Sequence, residues 1–433
     1  MILVYISRRY DRPLFAKQIG VTKKMKYLVL IPDGMADEKI EALGNRTPME
    51  AAKKPTTDRL AKDALVGTVS NVPEGMVPES DTANMAILSF DPKIYSKGRS
   101  PLEAASMGID LKPDETAYRC NVVTLSDLGE DYDDKIILDH SADEITTAEA
   151  NELIKSMQQA FGNENRTFYT GVSYRHCLVL KNGDETYPFM RPHDILGKRI
   201  GEYLPKVENG GAEFYQLMRE SFDLLNHHPV NEARRARGLK PANSVWFWSP
   251  GKKPQLPNFK EKWNLNASVI SAVDLIKGIA ICAGMRSIDV EGATGNVHTN
   301  YKGKADAAIR AFQDGSDYVY IHVEAPDECG HRAELDNKVL SIEKIDAEIL
   351  KPIYEYLVST GESFRIMILP DHPTPIRLRT HTSLPVPFLI YDSEKKFDGV
   401  SLFCEETAGA TGFYLPQGHK LMNLLLCPEQ AKI

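Results

Sequence analysis

The sequence predicts an α/β fold in which a mostly parallel sheet is flanked by helices. Three short apolar runs, at 27–31, 318–323 and 365–369, have the alternation and the β-branched content of buried strands. The run at 27–31 opens an order of strand, loop and helix, which is typical of α/β proteins. With 433 residues, of which 42% are hydrophobic, the chain is long enough for two or three domains with sizeable cores.

Each of the three predicted strands is followed by side chains that commonly bind metal ions. These are Asp33 after 27–31, Asp327 and His331 after 318–323, and Asp371, His372 and the later His381 after 365–369. Ligands bind at the carboxyl ends of the strands in an open α/β sheet, so residues far apart in sequence can converge there. A carboxylate and an imidazole can share one divalent ion. Any one aspartate alone is commonly a loop or capping residue, but the threefold repetition favours a metal site.

The next feature is a helix that is predicted to begin at Ser80. The serine follows a loop rich in proline and glycine at 72–79 and precedes a helical stretch at 80–88. Backbone N–H groups and the dipole at a helix N-terminus favour a phosphate group. A serine in this position is commonly an N-cap. Beside two candidate metal sites it is also a candidate nucleophile, because metal coordination can activate a hydroxyl group.

The composition argues against nucleic acids and membranes as partners. The chain has 52 Lys and Arg against 60 Asp and Glu, a net charge of −8, and no basic block interleaves with aromatic residues. No apolar run is long enough to cross a bilayer. The six cysteines lack Cys-x-x-Cys spacing, which indicates reduced thiols in a cytoplasmic protein. An anionic substrate would therefore be bound by local arginine, lysine and metal ions.

Residues 1–24 differ from the rest of the chain. A six-residue apolar opening precedes most of the basic residues, which is the wrong order for a signal peptide. We expect a disordered extension. Met25 directly precedes the first predicted strand and is a hypothetical alternative start of translation.

Six motifs carry a family resemblance. They are Pro-Asp-Gly at 32–34, Glu-Ser-Asp-Thr-Ala-Asn at 79–84, Ser-Tyr-Arg-His at 173–176, Asp-Leu-Ile-Lys-Gly at 274–278, the run at 323–331 and Asp-His at 371–372. Together they resemble the archaeal-type cofactor-independent phosphoglycerate mutases of the alkaline phosphatase superfamily. The likeness runs from about residue 26 to the C-terminus, and residues 1–24 match nothing in the family. The chain is shorter than the bacterial mutases, whose serine lies in an Asn-Ser-Glu type of motif.

The resemblance implies an alkaline-phosphatase-like core, at 25–110 and 266–433, interrupted by a smaller inserted α/β or α+β domain at 111–265. The candidate substrate-binding residues are Arg175, His176, His193, Asp194 and Arg234 in the insertion and Lys277 after it. Arginine binds carboxylate and phosphate through paired hydrogen bonds, which suits phosphoglycerate. The alternatives are an exposed helix face for the basic run at 234–237 and an ordinary helix-end residue for Lys277.

The resemblance also implies two divalent metal ions, with manganese favoured and zinc, cobalt or magnesium as alternatives. One ion would be held by Asp327, His331 and His381. The other would be held by Asp33, Asp371 and His372 together with the Ser80 hydroxyl. His298, His322 and His419 are alternatives to His381, although His322 falls inside a predicted strand, where we expect a packed core histidine.

The implied activity is the interconversion of 3-phosphoglycerate and 2-phosphoglycerate through a phosphoserine, without 2,3-bisphosphoglycerate. The partner would be a small phosphorylated hydroxy acid bound between the two domains, with Asp194 or His176 as acid or base, and the oligomeric state stays open. The alternatives are transfer to another small hydroxyl acceptor, as in a homoserine kinase, a phosphatase, and a metal-stabilised binding protein. The chain has no Walker-type loop for ATP, which argues against a kinase.

Overall fold

The computed structural model describes residues 25–127 and 131–428. The extension predicted at 1–24 lies outside the described residues and stays a prediction. The described chain forms two compact units: the first within Met1–Pro92, Pro257–Val273 and Ala283–Ile433, the second Lys93–Leu256 with Asp274–Cys282. Residues 93–110 and 274–282, which were predicted to belong to the core, therefore cluster with the second unit, and residues 257–265, predicted to belong to the insertion, cluster with the first.

The strands of the described residues form two sheets. In chain order they are β1 Met25–Pro32, β2 Leu65–Val69, β3 Glu115–Leu125, β4 Ile137–Asp139, β5 Arg166–Val172, β6 Arg175–Lys181, β7 Ser244–Gly251, β8 Ala267–Ile270, β9 Arg286–Ile288, β10 Tyr318–Val323, β11 Ser363–Ile368, β12 Val386–Asp392 and β13 Tyr414–Leu415.

The α-helices, in chain order, are α1 Pro48–Ala51, α2 Pro55–Lys62, α3 Ser80–Ile87, α4 Pro92–Tyr95, α5 Ser100–Ser106, α6 Thr147–Phe161, α7 Ala212–Leu225, α8 Pro229–Ala236, α9 Phe259–Trp263, α10 Asp274–Cys282, α11 Tyr301–Gln313, α12 Ala325–Arg332, α13 Leu335–Lys344, α14 Lys351–Thr360, α15 Glu405–Ala410 and α16 Leu421–Leu426. A π-helical segment, Ile345–Leu350, joins α13 to α14. Short 3-10 helices are Glu41–Leu43, Tyr132–Asp134, Pro192–Ile195, Ile200–Glu202, Val207–Asn209 and Gly418–Lys420. No helix among the described residues has both the length and the apolar character needed to span a bilayer.

The first unit is built on an eight-stranded mixed sheet in the order β13-β2-β12-β11-β1-β10-β8-β9. Strand β12 runs antiparallel to both of its neighbours, and the other five strand pairs are parallel. Helices such as α11 pack against this sheet. The predicted α/β fold with a mostly parallel sheet is thus confirmed. The central strand β1 is buried along almost its whole length, as its apolar sequence predicts.

The second unit contains a smaller antiparallel sheet in which β3 pairs with β4, β6 and β7, and β5 pairs with β6. Its core includes Tyr118 and Trp246 from the sheet and Leu153 and Leu217 from helices α6 and α7. This arrangement of an antiparallel sheet with packed helices is of the α+β type.

The backbone N–H groups at the helix N-termini of the first unit have different hydrogen-bond partners. Thr47 and Glu50 form a capping box at the start of α1. The backbone N–H groups of Thr56 and Thr57, at the start of α2, donate to the buried carboxylate of Asp346. By contrast, Glu79 before α3 makes no side-chain capping hydrogen bond. The start of α3, where Ser80 lies, is therefore not closed by a side chain of its own N-cap residue.

Gly278 marks a close helix contact within the second unit. A Cβ atom at this position would lie 2.0 Å from the backbone carbonyl oxygen of Leu102, where α10 crosses α5. A backbone carbonyl cannot move away unless the helix shifts with it. We therefore expect Gly278→Ala to destabilise the unit by about 1–3 kcal/mol in chemical denaturation.

Gly409→Ala is the matched control. Gly409 also lies in a helix, α15, and a Cβ there would meet no atom within 4 Å. Its stability should be unchanged or should rise by about 0.5–1 kcal/mol, because alanine is the better helix former. Equal effects of the two substitutions would contradict the proposed close contact.

Candidate functional site

Three adjacent strands of the first unit bring the predicted metal ligands to one edge of the sheet. Strand β1 lies between β10 and β11 and is parallel to both, with Pro32 opposite Val323 and Leu30 opposite Ile368. Asp33 directly follows β1, and its backbone N–H donates to the carbonyl of Val323. Asp371 follows β11 by three residues. The carboxyl ends of the three strands therefore deliver their side chains to the same place.

Asp327 and His331 lie in a helix rather than in the turn that the sequence analysis expected. Helix α12 begins at Ala325, directly after β10, with Pro326 in its first turn. The spacing of four residues puts both side chains on one face of the helix, so that Nε2 of His331 lies 3.2 Å from Oδ2 of Asp327. The helix strengthens the predicted pairing of these two residues.

The first ligand cluster consists of Asp327, His331 and His381. Nε2 of His381 lies 3.3 Å from Oδ1 of Asp327 and 2.8 Å from Nε2 of His331. The Nδ1 atom of His381 contacts the carbonyl oxygen of Pro78, and that of His331 contacts the carbonyl oxygen of Arg379. Because a carbonyl only accepts, each Nδ1 carries a proton, and in the neutral rings the two Nε2 lone pairs face the same point. Such convergence is the arrangement of imidazole ligands around a cation.

His372 lies between this cluster and the second one. Its ring stacks on that of His381 with centroids 3.9 Å apart, and its ligand atom falls in one group with those of Asp327 and His381. Its Nε2 also lies 3.5 Å from Oδ2 of Asp371 and 3.7 Å from Oδ1 of Asp33. The structure thus brings all six predicted carboxylate and imidazole ligands together.

The second ligand cluster consists of Asp33, Asp371 and His322, all three of them buried. Nε2 of His322 lies 2.9 Å from Oδ2 of Asp33. Neither carboxylate oxygen of Asp33 makes a hydrogen bond with any residue that the structure describes. Buried carboxylate oxygens without donors are costly unless a cation compensates them. The donor set therefore fits a divalent ion.

His322 was expected to be a packed core residue and was named only as an alternative ligand to His381. It is buried, and it lies with Asp33 and Asp371 in the second cluster. It lies opposite Ile31 on the neighbouring strand β1, and is therefore close to the end of the strand that carries Asp33. The only signal in the sequence was its place as the penultimate residue of a predicted strand whose next residues include a ligand. That signal becomes useful only when the order of the strands is known.

Ser80 is the first residue of α3 rather than its N-cap, which is Glu79. Its Oγ lies 3.2 Å from Nε2 of His372, so the hydroxyl group is directed toward the ligand clusters. Asn84, one turn later, donates to the carbonyl of Ser80 and to Oδ2 of Asp371, each at 2.8 Å. The hydroxyl of Tyr320 in turn donates to Oδ1 of Asn84 at 2.5 Å. These bonds fix the start of α3 against the second cluster.

Several ionisable groups of the site are buried close together, and this shifts their pKa values. Burial raises the pKa of Asp33 well above its usual value, and the neighbouring carboxylates of Asp371 and Asp327 raise it further. Burial also acts to raise the pKa of Asp327, but hydrogen bonds from His331 and His381 outweigh it and hold that pKa well below the usual value. When it is protonated, Nε2 of His331 donates to Asp327, and this hydrogen bond raises the pKa of His331 to about 9. A cation at this point would take the place of that proton. A divalent cation would relieve the repulsion among these carboxylates.

A second layer of buried groups supports the ligands. Oγ1 of Thr374 donates to Oδ1 of Asp327 at 2.5 Å. The fully buried ammonium of Lys338 donates to the carbonyl of Thr374 at 2.8 Å and pairs with Oδ2 of Asp37 at 2.7 Å. Asp37 in turn accepts from the backbone N–H of Ile376 at 3.2 Å. This network holds the segment that follows β11 and orients Asp327.

Three of the predicted substrate-binding residues line one cavity within the second unit. Arg175, His176 and Lys277 share this cavity, whose volume is about 240 Å³. Arg119, which sequence reasoning missed, lines it as well, with its guanidinium 4.0 Å above the ring of Trp248. Nothing in the sequence around Arg119 separates it from an ordinary strand arginine. Its place in the cavity follows only from the pairing of β3 with β6.

The other three predicted substrate-binding residues lie elsewhere in the second unit. The buried guanidinium of Arg234 donates to the carbonyls of Lys240 and Ala142 and pairs with Glu149, bonds that hold the loops around it. His193 is half-exposed, with its ring 5.4 Å from that of Trp248 and its Nε2 3.7 Å from Oδ1 of Asp194. A part in substrate binding stays a prediction for His193 and Asp194.

Comparisons with known proteins find similar sequences over most of the chain. A family model for 2,3-bisphosphoglycerate-independent phosphoglycerate mutase matches residues 61–231. A probable 2,3-bisphosphoglycerate-independent phosphoglycerate mutase of Geobacter sulfurreducens is 45% identical over 403 residues, which are 93% of this chain and 100% of the relative. The mutase of Methanothrix thermoacetophila shows the same identity and the same coverage.

Two solved structures share the fold. That of the PH0037 protein from Pyrococcus horikoshii has a TM-score of 0.78 at 26% identity and covers 95% of this chain and 99% of its own. That of a cofactor-independent phosphoglycerate mutase from Thermoplasma acidophilum has a TM-score of 0.63 at 24% identity, covers 94% of this chain and 100% of its own, and supports the fold alone.

A serine beside two clusters of carboxylate and imidazole groups, at the carboxyl edge of an α/β sheet, defines an α/β enzyme equipped for metal-assisted group transfer. The similar proteins identify one family within this class of enzymes. The chain belongs to the family of 2,3-bisphosphoglycerate-independent phosphoglycerate mutases. The resemblance predicted from the six motifs is confirmed.

The buried pair of Lys338 and Asp37 should contribute strongly to stability. Lys338→Met keeps most of the side-chain volume but leaves the carboxylate of Asp37 buried without its cation. We expect a loss of about 3–5 kcal/mol in the free energy of unfolding, measured by chemical denaturation.

Lys302→Met serves as the control, because Lys302 forms an exposed pair with Asp306 four residues along the same helix. Its effect should stay within about 0.5 kcal/mol. A cost for Lys338→Met no larger than that of the control would show that the buried pair does not support the site.

Proposed function

We propose that the chain interconverts 3-phosphoglycerate and 2-phosphoglycerate by passing the phosphoryl group through Ser80. The observation that carries this proposal is the position of the serine hydroxyl, whose Oγ lies 3.2 Å from Nε2 of His372 beside both ligand clusters. The names of the curated relatives support the substrate pair. The serine itself would carry the phosphoryl group between the two hydroxyl groups, so 2,3-bisphosphoglycerate would not be needed.

The transfer would proceed as two displacements that balance. In the first, Oγ of Ser80 attacks phosphorus and loses its proton, the bond from phosphorus to the 3-oxygen breaks, and that oxygen takes up a proton. In the second, the 2-hydroxyl of the same glycerate attacks phosphorus and loses its proton, and the Ser80 hydroxyl is restored. The N-terminus of α3 favours the negative charge that the serine carries in between.

We further propose that the two clusters hold two divalent ions. Asp327, His331 and His381 would hold the first ion, and Asp33, Asp371 and His372 with the Ser80 hydroxyl would hold the second. The orphaned oxygens of Asp33 and the facing Nε2 atoms of His331 and His381 support this assignment. When bound, the ions would supply positive charge that stabilises the phosphoryl oxygens. Carboxylate and imidazole ligands suit manganese, zinc or cobalt, and magnesium less well.

The cavity of the second unit would bind an anionic group of the substrate. Arg175 and Arg119 supply guanidinium groups and Lys277 an ammonium group to its lining. Nε of Arg119 lies 2.9 Å from Oε2 of Glu103, a pair that holds its guanidinium in place. A planar guanidinium binds carboxylate and phosphate through two parallel hydrogen bonds. We propose that these groups bind the carboxylate or the phosphate of phosphoglycerate.

His176 would add a neutral donor to this cavity. Its Nδ1 accepts the backbone N–H of Gly171 at 2.9 Å, so the neutral ring carries its proton on Nε2. Burial lowers the pKa of His176 to about 3, so the ring is neutral at pH 7. With that pKa it is a better hydrogen-bond donor to an anion than a general base, and its proposed part is to bind rather than to move a proton.

Ser80→Ala should abolish the mutase reaction. Removal of the nucleophile should lower kcat by about 10⁴-fold or more, because the proposed carrier of the phosphoryl group is then missing. Phosphorus NMR of metal-loaded protein with 3-phosphoglycerate, and with no 2,3-bisphosphoglycerate added, follows the appearance of 2-phosphoglycerate directly.

Ser359→Ala, in an exposed position near the end of α14, is the control and should leave the rate unchanged. Full activity of Ser80→Ala would refute the phosphoserine route. Growth of inorganic phosphate in place of 2-phosphoglycerate would favour a phosphatase.

Arg175→Met should weaken substrate binding more than it slows the chemistry. Loss of a charge-assisted hydrogen-bonding pair corresponds to a rise in KM for 3-phosphoglycerate of about 10- to 100-fold, with a smaller change in kcat. Steady-state kinetics separate the two parameters.

Lys181→Met, at the other end of strand β6, controls for the loss of one positive charge from that strand and should change neither parameter. Equal KM values for Arg175→Met and Lys181→Met would exclude the cavity as part of the substrate site.

A further inference from the structure

His322 is a buried, potentially ligating side chain that the two proposed metal sites leave unused. It is fully buried near the end of β10, and its Nε2 makes no hydrogen bond with any described residue. We infer that Nε2 of His322 is a further ligand of the ion held by Asp33 and Asp371. This inference rests on the proposed metal sites, and it makes the second site richer in nitrogen than the family motifs imply.

The geometry between His322 and Asp33 is that of two ligands rather than of a donor and an acceptor. Nε2 lies 2.9 Å from Oδ2 of Asp33, well within hydrogen-bonding distance. Yet an N–H at Nε2 would not point at that oxygen, so neither atom has a hydrogen-bond partner in the described chain. One potential ligand atom from each of His322, Asp33 and Asp371 lies within 4.8 Å of the other two. Lone pairs that converge in this way are stabilised by a cation placed among them.

The other nitrogen of the ring supports the same assignment. Nδ1 of His322 lies 3.3 Å from Oγ of Ser271, and that oxygen also accepts the backbone N–H of Val273 at 3.0 Å. A proton on Nδ1 can be donated to the serine oxygen, which leaves a lone pair on Nε2. The opposite tautomer would put a proton on Nε2 with no acceptor in line. A ligating histidine commonly has its second nitrogen fixed in this way.

Hydrogen bonds also fix the backbone of His322. The buried ammonium of Lys304 donates to the carbonyl of His322 at 3.0 Å. Parallel pairing with β1 sets His322 opposite Ile31, two residues before Asp33. The imidazole is thus positioned before any ion binds, which lowers the cost of ordering it on binding. Added imidazole character favours zinc, cobalt or manganese over magnesium, which prefers oxygen ligands.

The test is cadmium-113 NMR of the full-length protein, with affinities measured by chelator competition. The wild type should give two resonances, one for each site. His322→Asn should shift one resonance upfield, because nitrogen is lost from the coordination shell, and should weaken cadmium binding at that site by about tenfold or more. The resonance that responds to Asp327→Asn should stay in place. His298→Asn, at an exposed histidine of the same unit, is the control and should change nothing.

The outcomes separate this inference from the proposal on which it rests. Two resonances that are both unchanged in His322→Asn would overturn the inference and leave the metal sites standing. A wild type that binds no cadmium would overturn both. If the variant fails to fold, histidine labelled with nitrogen-15 in the wild type decides the question through coupling to cadmium. Four coupled histidine nitrogens over the two ions are expected, and three would contradict a ligand at His322.

Discussion

The site depends on one constraint, the parallel pairing of β1 with β10 on one side and β11 on the other. This pairing forces Asp33, Asp327 and Asp371 to one edge of the sheet, although almost 340 positions separate the first from the last. Three carboxylates confined in a buried space repel one another, which is why the pKa of Asp33 is raised, first by burial and then by its neighbours. The arrangement is stable only if positive charge is supplied.

The surrounding residues supply part of that charge, and the proposed metal ions would supply the rest. His331 and His381 offset the charge of Asp327, and the buried pair of Lys338 and Asp37 carries no net charge into the site. The carboxylate oxygens of Asp33, by contrast, accept no hydrogen bond from any described residue. The part of the site around Asp33, near Ser80, therefore needs a cation more than the part around Asp327. The uncompensated negative charge therefore lies beside Ser80, the nucleophile proposed for the reaction.

Features of the fold that depend on local sequence pattern could be predicted from the sequence. The strands that end near Asp33, Asp327 and Asp371 could be predicted because buried parallel strands are short, apolar and rich in β-branched residues. The helix that carries His331 was mistaken for a turn, because a helical segment of eight residues that starts with Ala-Pro has little periodicity to detect. The place of His322 in the second cluster and the part of Arg119 in the cavity were not predicted, because their neighbours belong to other strands and strand order is not a local property. Arg234 looked like a ligand for anions because its buried bonds to backbone carbonyls leave no trace in the sequence.

The central claim is that this edge of the sheet holds two divalent ions around Ser80. Anomalous X-ray diffraction from crystals of the zinc-loaded protein, recorded on both sides of the zinc absorption edge, tests it most directly. We expect two anomalous peaks, one among Asp327, His331 and His381 and the other beside Asp33, Asp371 and the Ser80 hydroxyl. A single peak, or peaks outside this edge of the sheet, would contradict it.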